Sequence, residues 1–223
     1  MTARAGAVTL ALLATLTGCG SASVPSPPSG VDELVIPTPS PAPADFVATV
    51  DNPWFPLEPG TTWTYAVEDP AGAHTLTVTA EPGPEVAGVA TTARVSTEGS
   101  HVVTDWYAQD DRGNVWWFGR EGSWQAGEDG AEAGLAMADT PRVGDGYRPA
   151  LAPGVSEDTA TVTALDDRVT VPAGTFEALL VDGRSELEPG VHTESSYAEG
   201  VGLVAEQVVS SSYRSVRLES VDS

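Results

Sequence analysis

The chain has 223 residues, and its 10 basic and 32 acidic side chains give it a formal net charge of −22. A charge of that sign repels phosphate groups, which proteins bind through Lys and Arg, so we predict no nucleic-acid partner and no attraction of the protein surface to anionic lipid. Cys19 is the single cysteine, so a hydrophobic core rather than a disulfide must stabilise the fold. A hydrophobic content of 41% permits such a core.

The N-terminus has the pattern of a leader. Arg4 precedes an apolar run over residues 5–16, which ends in Leu16-Thr17-Gly18-Cys19. A positive residue, a short apolar stretch and small residues at a cleavage point are typical of a signal peptide. The run is shorter than the roughly 20 residues that a membrane-spanning helix needs. We therefore predict a signal peptide over residues 1–18 that is removed from the mature chain.

The end of this leader resembles the lipobox of bacterial lipoproteins, in which an aliphatic residue and two small residues precede a cysteine. The resemblance implies cleavage after Gly18 and attachment of palmitate-type acyl chains to Cys19 through a diacylglyceryl group. It also implies a location on the extracytoplasmic face of the cell membrane, because two acyl chains anchor a protein stably. The alternatives are an ordinary secretory signal with an incidental cysteine, or an uncleaved anchor.

A linker follows the cysteine. Prolines occur at positions 25, 27, 28, 37, 39, 41 and 43, among Ser, Gly and Ala. Such a composition favours an extended, semi-rigid chain of about 3.1 Å per residue and forms no packed core. We predict three parts: a signal peptide over residues 1–18, the lipidated Cys19 with a Pro/Ser-rich linker over 19–45, and an all-β domain over 46–223.

The domain is predicted to be all-β because short alternating runs are separated by Pro, Gly and Asp clusters. Trp63, Tyr65 and Val67, for example, lie on one face of a strand. After residue 50 the best helical pattern, over residues 130–138, allows only one turn. A mostly antiparallel, single curved sheet is expected, as a half-barrel or a sandwich. Periodicity alone does not distinguish these from a closed barrel. The predicted strands cover residues 61–67, 74–80, 86–96, 101–109, 114–118, 158–165, 168–171, 175–181, 192–198, 202–210 and 213–219.

One phrase of the sequence is distinctive: N-P-W-F-P-L-E-P-G-T-T-W-T-Y at residues 52–65. It resembles the opening segment of a family of uncharacterised exported bacterial proteins with an all-β domain. The likeness implies the same fold and location, and the family brings no established activity. It continues through residues 105–110, 113–119, 141–145, 171–177 and 197–204.

The last two of these phrases are also similar to envelope proteins related to lipoprotein carriers, which have a curved sheet. In those proteins a Pro-Ala-Gly-Thr-Phe turn, here residues 172–176, enters a strand, and acyl chains bind in the hollow of the sheet. The resemblance implies a carrier or sensor of an apolar ligand. We keep this function as the alternative to the one that follows.

An aromatic cluster supplies the leading functional prediction, a non-catalytic role in binding or in envelope organisation. Indoles offer large apolar faces and an N–H donor, so such a cluster suits a wall glycan, a lipid or a protein ligand. Successive side chains of a strand point to opposite faces, so one indole of Trp116 and Trp117 should enter the core and the other should face outward or line a groove. Core packing is the simpler interpretation. The candidate residues are Trp106, Tyr107, Trp116, Trp117 and Trp124.

Catalytic and metal-binding patterns are weak. His74, His101 and His192 lie apart, and no serine has the G-x-S-x-G pattern. We therefore predict no catalytic residue, cofactor or metal, and keep a cell-wall hydrolase as a remote alternative. A hairpin turn with a solvated acidic face, or else a calcium site, would explain the densest acidic group, which consists of Asp105, Asp110, Asp111, Asn114, Glu128 and Asp129.

Overall fold

The computed structural model describes residues 41–209 and 213–223, so the predicted signal peptide, Cys19 and most of the linker lie outside the described residues. The described chain has one short 3-10 turn, Pro43–Asp45, and none of its helices is long and apolar enough to cross a membrane. Its strands are β1 (Phe46–Val47), β2 (Thr62–Asp69), β3 (Gly72–Val86), β4 (Val89–Glu98), β5 (His101–Asp110), β6 (Val115–Arg120), β7 (Trp124–Gln125), β8 (Glu132–Met137), β9 (Gly146–Ala152), β10 (Ser156–Val171), β11 (Gly174–Ser185), β12 (His192–Ala198), β13 (Gly202–Val209) and β14 (Arg214–Asp222).

Twelve of these strands form a closed antiparallel barrel. Neighbours pair in the order β2-β3-β4-β5-β6-β8-β9-β10-β11-β12-β13-β14, and β14 then pairs with β2. The short strands β1 and β7 add to β5 and β6. The all-β, antiparallel prediction is confirmed. The sheet closes further than the expected half-barrel and does not form a sandwich, because the last strand pairs with the first strand of the barrel and leaves no open edge there.

Two strands of the barrel were not predicted. The residues expected to allow a helical turn form β8, which pairs with β6 and β9. Strand β9 has a proline at position 149 and little β-branched character, so its local sequence gives no strand signal. In both strands, pairing with neighbours outweighs local propensity.

The antiparallel order places the connections at two ends of the barrel. At one end, which we call the mouth, lie the connections 70–71, 99–100, 153–155 and 186–191. The opposite end is covered by the segment 50–57, which we call the plug. Val50 and Leu57 of the plug are each 3% exposed and belong to the same hydrophobic core as the barrel interior.

Asn52 holds the plug in place. Its side-chain nitrogen donates to the carbonyls of Gly113 and Ala138, at 2.8 and 3.2 Å, in two connections at that end. Its side-chain oxygen accepts from the backbone N–H groups of Trp54 and Phe55. The distinctive N-P-W-F-P-L phrase therefore closes one end of the barrel.

Candidate functional site

The barrel interior contains a cavity of about 470 Å³. This volume lies within the range of small-molecule binding sites, roughly 300–1,000 Å³. Phe55 and Leu57 of the plug bound it at one end, and Arg184 and Glu188 bound it at the other. Because Arg184 and Glu188 are solvent-exposed, the cavity reaches solvent at the mouth.

Aromatic side chains form much of the cavity wall. Phe55 comes from the plug, and the others come from inward positions of the strands, where alternation directs them to one face. Phe55 packs on Tyr107 with ring centroids 5.0 Å apart, and Tyr107 stacks on Trp117 at 6.3 Å. The wall includes Phe55, Trp63, Tyr65, Tyr107, Trp117, Tyr147 and Tyr197.

The tyrosines of the wall act as neutral hydrogen-bonding groups. Burial raises the pKa of Tyr197 to about 12. Burial also raises the pKa values of Tyr65, Tyr107 and Tyr147 above their usual range. Near neutral pH all four therefore keep their protons, and the Tyr65 hydroxyl donates to the carbonyl of Leu203 at 3.0 Å.

Charged groups also face the cavity. Arg120 donates from Nε to Asp105 Oδ1 at 2.8 Å and from Nη2 to Asp105 Oδ2 at 3.2 Å, a bidentate pair. Asp105 is 3% exposed, so this pairing compensates a buried negative charge. On the other side of Asp105, Arg94 lies directly opposite it in the β4–β5 register.

Arg94 differs from Arg120 in having no carboxylate partner within 4.0 Å among the described residues. Among the described residues, its one side-chain hydrogen bond runs from Nη1 to Ser96 Oγ at 3.1 Å. Burial, the largest influence, lowers the pKa of Arg94, but nearby Tyr107 and Asp105 outweigh it and the pKa lies above its usual value. The cavity therefore contains a permanent positive charge.

The described lining contains no serine beside a histidine, the pair that many hydrolases use. Ser195 donates to Glu206 Oε2 at 3.3 Å, and Asp158 accepts from Ser156 at 2.8 Å. Neither histidine nor cysteine lines the cavity in the described part of the chain. A serine beside a carboxylate, without an imidazole between them, lacks the usual general base of a hydrolase.

The predicted aromatic residues separate onto two faces. Tyr107 and Trp117 line the cavity, whereas Trp116 is 2% exposed and packs in a second apolar cluster with Phe118 on the other face of the sheet. Trp106 and Trp124 line a smaller groove of about 270 Å³. Adjacent residues Trp116 and Trp117 thus lie on opposite faces, and the role of all five residues in binding stays a prediction.

The acidic group noted in the sequence is also divided. Asp105 lies inside the barrel, while Asp110 closes the β5–β6 hairpin. The Asp110 carboxylate accepts from the backbone N–H groups of Arg112 and Asn114 and from the Trp116 indole at 2.9 Å. Asp110 therefore stabilises the turn of the hairpin, and both of its oxygens already accept hydrogen bonds there.

A polar cluster at the mouth was not predicted. Asp69, His74, Glu98 and Arg214 come from four strands that end or begin there. His74 Nε2 lies 2.6 Å from Glu98 Oε1, and Arg214 Nη2 lies 2.6 Å from Glu98 Oε2. Asp69, His74 and Glu98 are close enough to bind a metal ion, but Arg214 already compensates both carboxylates.

The mouth cluster should make stability depend on pH. The hydrogen bond with Glu98 raises the pKa of His74, so protonated His74 stabilises the fold below about pH 6.5, and this contribution is lost as the pH rises through the raised value. Arg214, and then His74, lower the pKa of Glu98 to about 2, so its contribution is present above its usual value and lost as the pH falls towards 2.

We therefore expect His74→Gln to lower the melting temperature more near about pH 5.5 than near about pH 9. Thermal unfolding at both pH values measures the difference. In a Glu98→Gln background the His74 substitution should have little effect at either pH, because its main partner is gone. An equal loss at both pH values would contradict the assigned role.

The fold and the cavity define the chain as a closed all-β barrel with an interior site that is accessible at one end. It is similar to a solved structure described as a putative exported protein with a YmcC-like fold from Bacteroides fragilis, with 13% identity, a TM-score of 0.46, and coverage of 76% of this chain and 99% of that one. It is also similar to a putative lipoprotein from Parabacteroides distasonis, with 14% identity, a TM-score of 0.43, and coverage of 76% and 98%.

The first of these proteins is described as exported and the second as a lipoprotein. These descriptions carry no information on ligand or activity. No protein-family model and no curated protein matches the chain.

Proposed function

We propose that this chain is a lipid-anchored extracytoplasmic protein that binds one small amphipathic ligand inside its barrel and catalyses no reaction on it. The observation that supports this proposal most is the cavity of about 470 Å³, with aromatic walls, a few polar groups and access from the mouth. Sites of that character are typical of small-molecule binding. This is the carrier or sensor function that the sequence offered as an alternative.

The positions of the aromatic residues favour an interior ligand over a surface glycan. Stacking on a sugar needs indole faces that are open to solvent, but Trp116 and Trp124 are 2% and 9% exposed. Tyr107 and Trp117, in contrast, have their rings in the cavity wall. The contribution of the aromatic cluster to binding is therefore expected on the inside of the barrel.

The first described residues and the mouth lie at opposite ends of the barrel, which suits such a role. The described chain reaches the barrel at Pro43–Asp45, at the end that the plug covers. There the backbone N–H of Asp111 donates to the carbonyl of Asp45. The mouth lies at the opposite end of the barrel. With acyl chains on Cys19 and an extended linker, the ligand would enter from the side that faces away from the point of attachment.

Blocking the cavity tests the proposal. Ala136 lines the cavity, so Ala136→Phe should fill part of it, whereas Ala66 lies on the outer face of β2 and Ala66→Phe is the matched control. The mature chain with Cys19→Ser, exported without lipid, avoids detergent. Titration with the neutral apolar fluorophore N-phenyl-1-naphthylamine should show one site per chain, weakened at least about tenfold only by Ala136→Phe.

The opposite pattern would overturn the proposal. If the fluorophore does not bind, or if both phenylalanine variants bind it as the parent does, the cavity is not a ligand site. Circular dichroism of each variant establishes that the barrel is folded before binding is measured.

A further inference from the structure

We infer that Arg94 binds the headgroup of the ligand, and that the ligand is an amphiphile with a single carboxylate. This inference rests on the proposed function, because it assigns a chemical class to the occupant of the same cavity. It begins with the position of Arg94, whose register partner Ala80 is 1% exposed and points into the barrel. Arg94 therefore also faces the interior, where it lines the cavity.

The guanidinium of Arg94 has N–H donors that no described residue uses. Arginine carries five N–H donors. Ser96 Oγ accepts one hydrogen bond, and no described carboxylate lies within 4.0 Å. Asp105, the acid opposite it, is already held by Arg120 through both of its oxygens. A ligand carboxylate could thus bind Arg94 without displacing an existing ion pair, and a guanidinium matches the two oxygens of a carboxylate in shape.

The other charges of the cavity disfavour a ligand with more than one negative charge. Arg120 is committed to Asp105, so Arg94 is the one cation of the inner wall without a partner in the described chain. Asp105 and Glu206 are close enough to act on the charge of Arg94 and would repel every negative charge nearby, so each charge beyond the one that Arg94 neutralises is disfavoured. A phosphate dianion is therefore disfavoured, whereas a carboxylate leaves the pair with Arg94 neutral.

The rest of the wall suits the apolar part of such a ligand. Trp63, Trp117 and Phe55 contribute large apolar surfaces. The Tyr107 hydroxyl has no hydrogen-bond partner among the described residues and lies close enough to Arg94 to act on its charge, so it can donate to the same carboxylate without changing other contacts. An alkyl or aromatic acid that enters at the mouth would meet both kinds of surface.

A matched pair of ligands distinguishes the contribution of the headgroup to affinity from the contribution of the alkyl chain. Dodecanoate and dodecanol share an alkyl chain and differ in charge, and displacement of N-phenyl-1-naphthylamine from the mature Cys19→Ser chain measures the affinity of each. We expect dodecanoate to bind about ten- to a hundredfold more tightly, the usual effect of a hydrogen bond to a charged group. In Arg94→Met this preference should disappear, with dodecanol binding unchanged.

Arg112→Met is the control. It removes the same charge from an exposed position at the plug end, so it should keep the preference for dodecanoate. Arg94→Gln is the second variant if Arg94→Met does not fold. Equal binding of both ligands by the parent chain, or a preference that survives in the folded Arg94 variants, would overturn the inference while the proposed function stands. Failure of both ligands and of the fluorophore to bind would overturn the two together.

Discussion

Replacing Gly134 by alanine should lower the free energy of unfolding by about 3 kcal/mol or more, at the upper end of the cost of overpacking. A Cβ atom at position 134 would collide with the backbone of Pro149 and Ala150 on the neighbouring strand β9. Backbone atoms cannot rotate away as a side chain can, so the two strands must separate. The β8–β9 seam pairs only Glu132 with Leu151 and Ala133 with Ala150, which leaves little to hold it closed.

Thermal unfolding measures this effect, with an expected fall in the melting temperature of about 6–12 °C. Gly146→Ala is the matched control on β9. A Cβ atom there would meet nothing nearer than the Ala160 carbonyl oxygen at 3.9 Å, so the stability should stay unchanged or rise by up to about 1 kcal/mol. If Gly134→Ala is as stable as Gly146→Ala, β8 and β9 do not approach each other as described.

Replacing Asn52 by alanine should cost about 2–4 kcal/mol, because the substitution leaves several partly buried backbone groups without a hydrogen bond. The amide of Asn52 joins the carbonyls of Gly113 and Ala138, and its oxygen accepts from Trp54 and Phe55. The plug should then separate from the barrel more easily than the strands separate from each other. Chemical denaturation gives the loss of stability.

The control for the plug is Thr49→Ala, since Thr49 is exposed and lies outside the plug. This variant should be as stable as the parent, and hydrogen exchange should show faster opening of the plug in Asn52→Ala alone. A stable Asn52→Ala variant would mean that the hydrogen bonds of Asn52 do not hold this end of the barrel.

Some of the fold could be predicted from local sequence. In β2 the alternation of Trp63, Tyr65 and Val67 with polar residues indicates a strand with one buried face, and the structure contains it. Closure of the barrel could not be predicted in this way. It depends on pairs such as Val67 with Val216 between the first and last strands of the barrel. These residues are far apart in the sequence, so no local pattern predicts their contact.

The interior site was harder to find because its charged residues look like surface residues. Arg94 alternates with Thr92 and Ser96, a polar series that is typical of a solvent-facing strand. The β3–β4 register shows otherwise, because it sets Arg94 beside Ala80 and Ser96 beside Val78, two buried residues. In a barrel wide enough to hold a cavity, the polar face of a strand can point into the interior and not to solvent.

The mouth cluster had no sequence signal for a similar reason. His74 and Glu98 belong to different strands, and Arg214 follows more than a hundred residues later. Their proximity results from the order of β14, β2, β3 and β4 around the barrel. A search for spaced ligands within one segment cannot find such a group.

The presence of a ligand inside the barrel is tested most directly by mass spectrometry of organic extracts from the mature Cys19→Ser chain, exported and purified without detergent. An exported protein of unrelated fold and the Ala136→Phe variant, extracted in parallel, correct for lipids that adhere to any surface. We predict a carboxylic acid with an apolar chain or ring system, close to one per protein in the parent chain and depleted in Ala136→Phe. An extract that matches the unrelated control, from a barrel that also takes up neither the fluorophore nor dodecanoate, would contradict the proposal that the cavity binds a ligand.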